Sequence, residues 1–187
     1  MRIEQISEKL AQRLSNKRFQ HSVGVSNTAQ ALARRYQCSP EKAKLAGLLH
    51  DCARELTSNR LLSMAEAFGI VVGDIERHHT VLLHALVGAR MAEAEYGVSD
   101  DEIRQAIALH TTGGPNMTTL DKIVFLADVI EPGRSFSGVE AIRLLAAENL
   151  DKAVLAAFNQ SIIFLAGKNS IIHPDTIIAR NALLFTD

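Results

Sequence analysis

The pair His50-Asp51, within the run LLHDCARE, sets an imidazole beside a carboxylate. Together they bring nitrogen and oxygen donors to one point, a mix suited to iron, manganese or zinc. The dipeptide alone is weak, since a chain of 187 residues can contain it by chance. Its setting says more. Leu45, Leu48 and Leu49 precede it, so it closes an apolar helix. An aspartate buried there is costly unless it is paired or bound to a cation.

Four further residues stand on apolar faces or at helix ends: His21, His84 in VLLHALVGA, His110 in IALHTTG, and Asp128 in FLADVIEPG. Taken singly, a histidine on an apolar face is usually a hydrogen-bonded core residue, and an aspartate near a helix end is usually solvated or capping. Taken together with the His50-Asp51 pair they read differently. Burying each separately costs several kcal/mol, and one shared metal centre satisfies them all.

The elements that must position these residues are helical throughout. Ile3, Ile6, Leu10 and Leu14 form a stripe at spacings of three and four. A second helix is predicted over 18–36, with His21, Val25, Thr28 and Leu32 on one face. Ser39-Pro40-Glu41 supplies an N-cap, a first-turn proline and an acidic first turn to a helix ending near His50-Asp51. Thr57 or Ser58 caps the next helix, which Gly69 closes. Residues 70–79 are the least regular stretch. A long helix is expected over 80–96, stopped by Gly97, and Ser99 to Glu102 match a capping box for the helix that carries His110. The run from Thr111 to Pro115 breaks that helix. Further helices are expected at 119–130, 138–147, 150–167 and from His173-Pro174 to Leu184. No strand alternation persists, and no repeat or linker interrupts the chain. The expected architecture is a single compact all-α domain over 1–187, a bundle of about nine helices. Its metal-site core spans about 17–136, and helices in 138–187 pack on it.

Composition narrows the function classes. The formal net charge is −1, with no Trp and two Tyr, which leaves no basic, aromatic-interleaved surface for nucleic acid. Cys38 and Cys52 form neither a disulfide framework nor a zinc-ribbon spacing. The charged, amphipathic start is unlike a secretory signal, and no apolar run approaches the ~20 residues that span a bilayer. A cytoplasmic protein without membrane partners is the expectation.

The order His, His-Asp, His, His, Asp resembles the HD superfamily of metal-dependent phosphohydrolases. KRFQHSVGVSNTAQALA, AGLLHDCARE, LLHALVGA, IALHTTG and LDKIVFLADVIEPGR are similar to the ordered motifs of its YqeK-type symmetrical bis(5′-nucleosyl)-tetraphosphatases, from about Lys17 to Phe136. Cys52 and Phe125 depart from that pattern, where an aliphatic side chain and a tyrosine are expected. The resemblance implies hydrolysis of diadenosine tetraphosphate to two ADP at a di-iron centre. It implies His21, His50, Asp51, His84, His110 and Asp128 as metal ligands, with Asp51 bridging and with His50 and Asp51 at the centre of catalysis. Six ligands exceed the needs of one tetrahedral ion and fit a dinuclear site. By ligand softness alone, manganese or zinc suits the donor set as well as iron.

Substrate phosphates require cations near the metals. Arg134, six residues after Asp128, is placed to reach a phosphate; Arg54 and Lys122 are further candidates, and each is equally readable as a solvated surface charge. Thr111 and Thr112 offer hydroxyls where a helix stops. His78 and His79 fall in the irregular segment and read as surface or lid residues; His173 reads as a helix-start residue. Gly113-Gly114 is no phosphate loop, because no Gly-Lys-Ser/Thr follows. Alternative readings are an HD hydrolase of another nucleotide or a cyclic dinucleotide, and a non-catalytic nucleotide-binding regulatory module. A homodimer is compatible with all of them.

Overall fold

A computed structural model describes residues 1–185. Among these are eleven α-helices and no strand: α1 (Ile3–Arg13), α2 (Asn16–Arg35), α3 (Pro40–Leu49), α4 (Ser58–Ala67), α5 (Asp74–His78), α6 (Leu83–Tyr96), α7 (Asp101–Leu109), α8 (Thr119–Ile130), α9 (Val139–Glu148), α10 (Leu150–Gly167) and α11 (Pro174–Ala182). The all-α expectation of about nine helices holds: each segment read as helical is a helix among the described residues, and α5 is added in the stretch expected to be irregular. The helix expected from Thr80 begins instead as a 3-10 turn, Thr80–Leu82, before α6.

Local chemistry explains most boundaries. Ser39, Thr57 and Thr118 each accept a backbone N–H from the first turn that follows. Gly97 ends α6 at φ 72°, a left-handed conformation that glycine adopts without a Cβ clash. The start of α7 departs from the expected capping box. Its cap is Asp100, whose carboxylate accepts from the N–H groups of Glu102 (3.0 Å) and Ile103 (3.3 Å). With the cap one residue later than expected, Glu102 falls at the second helical position, and its carboxylate pairs instead with the Lys42 ammonium of α3 at 2.6 Å.

The helices α2, α3, α7 and α8 pack side by side around a core of Val25, Leu49, Ile107, Ile123 and Leu126, all fully buried. The four histidines and two aspartates singled out above come from α2, α8 and the ends or starts of α3, α6 and α7. The helix α10 lies across α8 and α9, burying Ala153, Val154, Ala157 and Phe158. Phe158 stacks on Phe125 with ring centroids 4.2 Å apart. Gly113, at φ 69°, makes room for that ring: a Cβ there would come within 2.6 Å of the Phe158 edge. By length and composition α10, 18 residues long as expected, is apolar enough to cross a bilayer, contrary to the expectation that no apolar run approaches that length.

Candidate metal centre

Three histidines are fixed by the same local device. His50 and His110 follow the last residues of α3 and α7, and each donates Nδ1–H to the carbonyl three residues back, on Gly47 and Ile107, both at 2.7 Å. His84, in the first turn of α6, donates Nδ1–H to the Val81 carbonyl of the preceding 3-10 turn. A carbonyl only accepts, so the proton sits on Nδ1 and Nε2 presents a lone pair. All three are at least 96% excluded from solvent.

The Nε2 atoms converge in pairs. His21 and His50 approach to 3.3 Å, and His84 and His110 to 3.1 Å. Asp51 stands between the pairs and divides its oxygens. Its Oδ2 lies 3.4 Å from His50 Nε2 and 3.7 Å from His21 Nε2. Its Oδ1 lies 3.2 Å from His84 Nε2 and 3.7 Å from His110 Nε2. Asp128 Oδ1 completes the first pair, 3.0 Å from His21 Nε2 and 3.8 Å from His50 Nε2. Lone pairs facing one another at hydrogen-bond distance in a buried site need a proton or a cation between them. Three overlapping triads of these six residues have donor atoms within 4.8 Å of one another, a spacing able to hold a metal ion. The donor set fits a cation.

Electrostatics agree. Burial opposes the charge of Asp51, yet His50 and the hydrogen bonds of His110, His50 and His84 hold its carboxyl well below the usual carboxylate range. Burial likewise opposes Asp128, but His21, His50 and Arg134 hold it low. Burial pushes the His84 imidazole down, favouring the neutral form that binds a metal.

Two site residues were not foreseen. Arg18, one helical turn before His21 on α2, donates Nη1–H to Asp51 Oδ2 at 2.7 Å. Glu131 caps α8, is 5% exposed, and accepts from His21 Nδ1 at 3.1 Å and from the Gly133 N–H at 2.6 Å. It is the counterpart for His21 of the carbonyls that hold the other three rings. Gly24 leaves the space: a Cβ there would meet the Glu131 carboxylate at 2.7 Å. A glycine inside a helix costs about 1 kcal/mol relative to alanine, so Gly24, three residues after His21, was the readable signal.

Among the foreseen cations, Arg134 donates from Nε to the Asp128 carbonyl at 2.7 Å and from its guanidinium to Asp128 Oδ1. Arg143, from α9, pins the loop carrying Arg134 through the carbonyls of Ile130, Glu131 and Arg134. Thr111 joins the cluster, its hydroxyl 3.3 Å from His84 Nε2 and 3.1 Å from His110 Nε2. Lys122 does not. Its ammonium faces the start of α10, where Asp151 holds it at 2.7 Å. Arg54 sits in the turn after Asp51 and lines neither cleft that flanks the cluster. Thr112 turns its hydroxyl to the Gly113 carbonyl. His78 and His79 are exposed. His173 caps α11 and pairs with Glu76 of α5 at 2.9 Å.

One flanking cleft, of about 640 Å³, is walled by Lys17, Arg18, Gln20 and Asn27 of α2 and by Arg134. The other, of about 440 Å³, runs from Thr111 and Asp128 to Phe136 and Phe164. Arg134 lines both.

The sequence model of the HD domain family matches residues 18–133. The symmetrical bis(5′-nucleosyl)-tetraphosphatase of Halalkalibacterium halodurans is 42% identical over 171 residues, 91% of each chain. That of Bacillus subtilis is 38% identical over 173 residues, 92% of each chain. A crystal structure from Clostridium acetobutylicum, described as a predicted HD superfamily hydrolase involved in NAD metabolism, superposes with a TM-score of 0.97 at 41% identity, covering 100% of this chain and 99% of its own.

Proposed function

The chain belongs to the HD domain family, and from that premise we propose that it is a metal-dependent hydrolase of diadenosine tetraphosphate, cleaving it symmetrically into two ADP. The observation that carries the reading is the division of Asp51, one oxygen toward His21 and His50 and the other toward His84 and His110. That arrangement supports a dinuclear centre with Asp51 as the bridge. His21, His50 and Asp128 would hold one metal, and His84 and His110 the other. Iron is what the family resemblance implies; manganese or zinc suits the donors as well.

When bound, the metals lower the pKa of water toward neutral and draw charge from a phosphoryl oxygen. The protein does the rest. The Nδ1 partners lock each imidazole with Nε2 inward, so the donor set is pre-organised. Arg18 and Arg134 flank the cluster from opposite carboxylates, and each guanidinium has further N–H donors to hold phosphate oxygens on either side of the scissile bond. Thr111 offers its hydroxyl beside the second histidine pair. Water adds to one of the two inner phosphorus atoms, the bond to the central bridging oxygen breaks, and each half leaves as ADP. The whole chain acts as one domain in this, with the core from about 17 to 136 holding the metals and the C-terminal helices closing one side.

Incubation of the purified protein with diadenosine tetraphosphate and ferrous or manganous ion tests the reading. ADP as sole product, lost on His50→Ala or Asp51→Ala, is expected. AMP plus ATP would refute the symmetrical mode, and no turnover with any metal would refute the substrate.

A further inference from the structure

The two clefts beside the cluster differ in chemistry. The larger is polar and of mixed charge: Lys17, Arg18, Gln20 and Asn27 stand along α2, with the Glu55 and Glu131 carboxylates also in its lining. The smaller is bounded by Val129, Phe136, Phe164 and Leu165, with Gln160 and Ser161 along one edge. Its inner end is formed by Thr111, Asp128 and Arg134, so it opens directly onto the metal-ligand cluster. Phe164 is 59% exposed, on a helix whose other large aromatic, Phe158, is fully buried. A single exposed phenylalanine is ordinary. This one faces a concave apolar space continuous with the proposed catalytic centre, of a volume typical of small-molecule sites.

From this asymmetry, and resting on the function proposed above, we infer that the cleft between Phe136 and Phe164 binds the nucleobase of one half of the substrate, while the phosphates of the other half lie along the Lys17–Arg18 wall. A dinucleoside tetraphosphate has a polyanionic middle and two flat, apolar-faced ends. The cluster and Arg134 meet the middle. The apolar cleft meets one end, where aromatic rings receive a base by stacking. The Gln160 amide and Ser161 hydroxyl bring hydrogen-bonding groups to the rim that the edge of the base would reach. The site therefore receives a symmetrical substrate asymmetrically, and the two ADP molecules formed are held by different contacts.

Equilibrium titration of the metal-loaded protein with ADP and with inorganic pyrophosphate tests this. Base–aromatic stacking contributes about 1–3 kcal/mol per base. Phe164→Ala is expected to weaken ADP binding roughly 5- to 150-fold, that loss converted, and to leave pyrophosphate binding within twofold. Phe164 is largely exposed, so an unchanged melting temperature verifies the fold; Phe136→Leu, which keeps an apolar side chain, provides a second measurement in the same direction. ADP affinity unchanged in both variants, or falling equally for ADP and pyrophosphate, would overturn the inference. Selective loss of ADP affinity in a protein that fails to cleave diadenosine tetraphosphate would sustain the nucleobase site and overturn the hydrolase reading instead.

Discussion

Glu131 Oε1 lies 3.1 Å from His21 Nδ1, across 110 residues of sequence, and among the described residues is the one carboxylate at a ring Nδ1 of the cluster. The other three rings donate to backbone carbonyls in their own helix ends or turns. A carboxylate partner makes the imidazole a stronger donor to a metal and fixes its tautomer. Glu131→Gln is expected to lower metal affinity about 10- to 100-fold, measured by titration of the metal-free protein. Gly24→Ala should act in the same direction, because its Cβ would displace the carboxylate. An unaltered dissociation constant in both variants would sink the idea.

The Nε2 lone pairs converge only in the folded state, so a metal held by them would bind the unfolded chain weakly. Metal at a hundred times its dissociation constant adds about 2.7 kcal/mol to stability. For a chain of this size that is a rise of roughly 5–11 °C in melting temperature. Thermal melts with and without chelator check this. In Asp51→Asn, which loses the group shared by both histidine pairs, the rise should collapse and hydrolysis should vanish.

Arg18 is expected to contribute to the phosphate-bearing transition state. Hydrogen bonds to charged groups contribute about 1.5–3 kcal/mol, so Arg18→Met should reduce kcat/KM roughly 10- to 100-fold, with Arg18→Lys intermediate because a point charge replaces a bidentate fork. Its side chain is 30% exposed, so the melting temperature should change little. A variant with wild-type kcat/KM would remove Arg18 from the site.

Glu76 ties α5 to the cap of α11 through His173. Burial opposes the Glu76 charge, but the hydrogen bond from His173 wins and depresses its pKa below the ordinary 4.5. A carboxylate depressed in the folded state stabilises above its unfolded pKa, and that contribution fades as pH falls through the folded value. Urea unfolding of wild type and Glu76→Gln should differ by roughly 0.5–1 kcal/mol at pH 7, and the difference should shrink below about pH 4.5. A difference independent of pH would show that the pair contributes only through packing.

The six residues that cluster were legible in the sequence because their signals are local. Each is a polar residue in an apolar helical run or at a helix end, and burial without partners is too costly to be incidental. The family resemblance then ordered them. Most caps were legible for the same reason: Ser39, Thr57 and Gly97 act within a turn of their own position. Ser99 was a misreading because Asp100, one residue on, takes the cap and leaves Glu102 free to pair with Lys42.

What only the tertiary structure decided are relations between distant segments. No periodicity pairs Glu131 with His21 or Arg18 with Asp51, since side chains on separate helices meet only after α2, α3 and α8 pack. Packing also turned Lys122 to Asp151, where spacing alone allowed it to reach the site. The two clefts belong to this class as well, because a concave surface exists only between elements. The sequence determined which atoms were available for chemistry, through the local cost of burying polarity in a helix. The fold determined which of them meet.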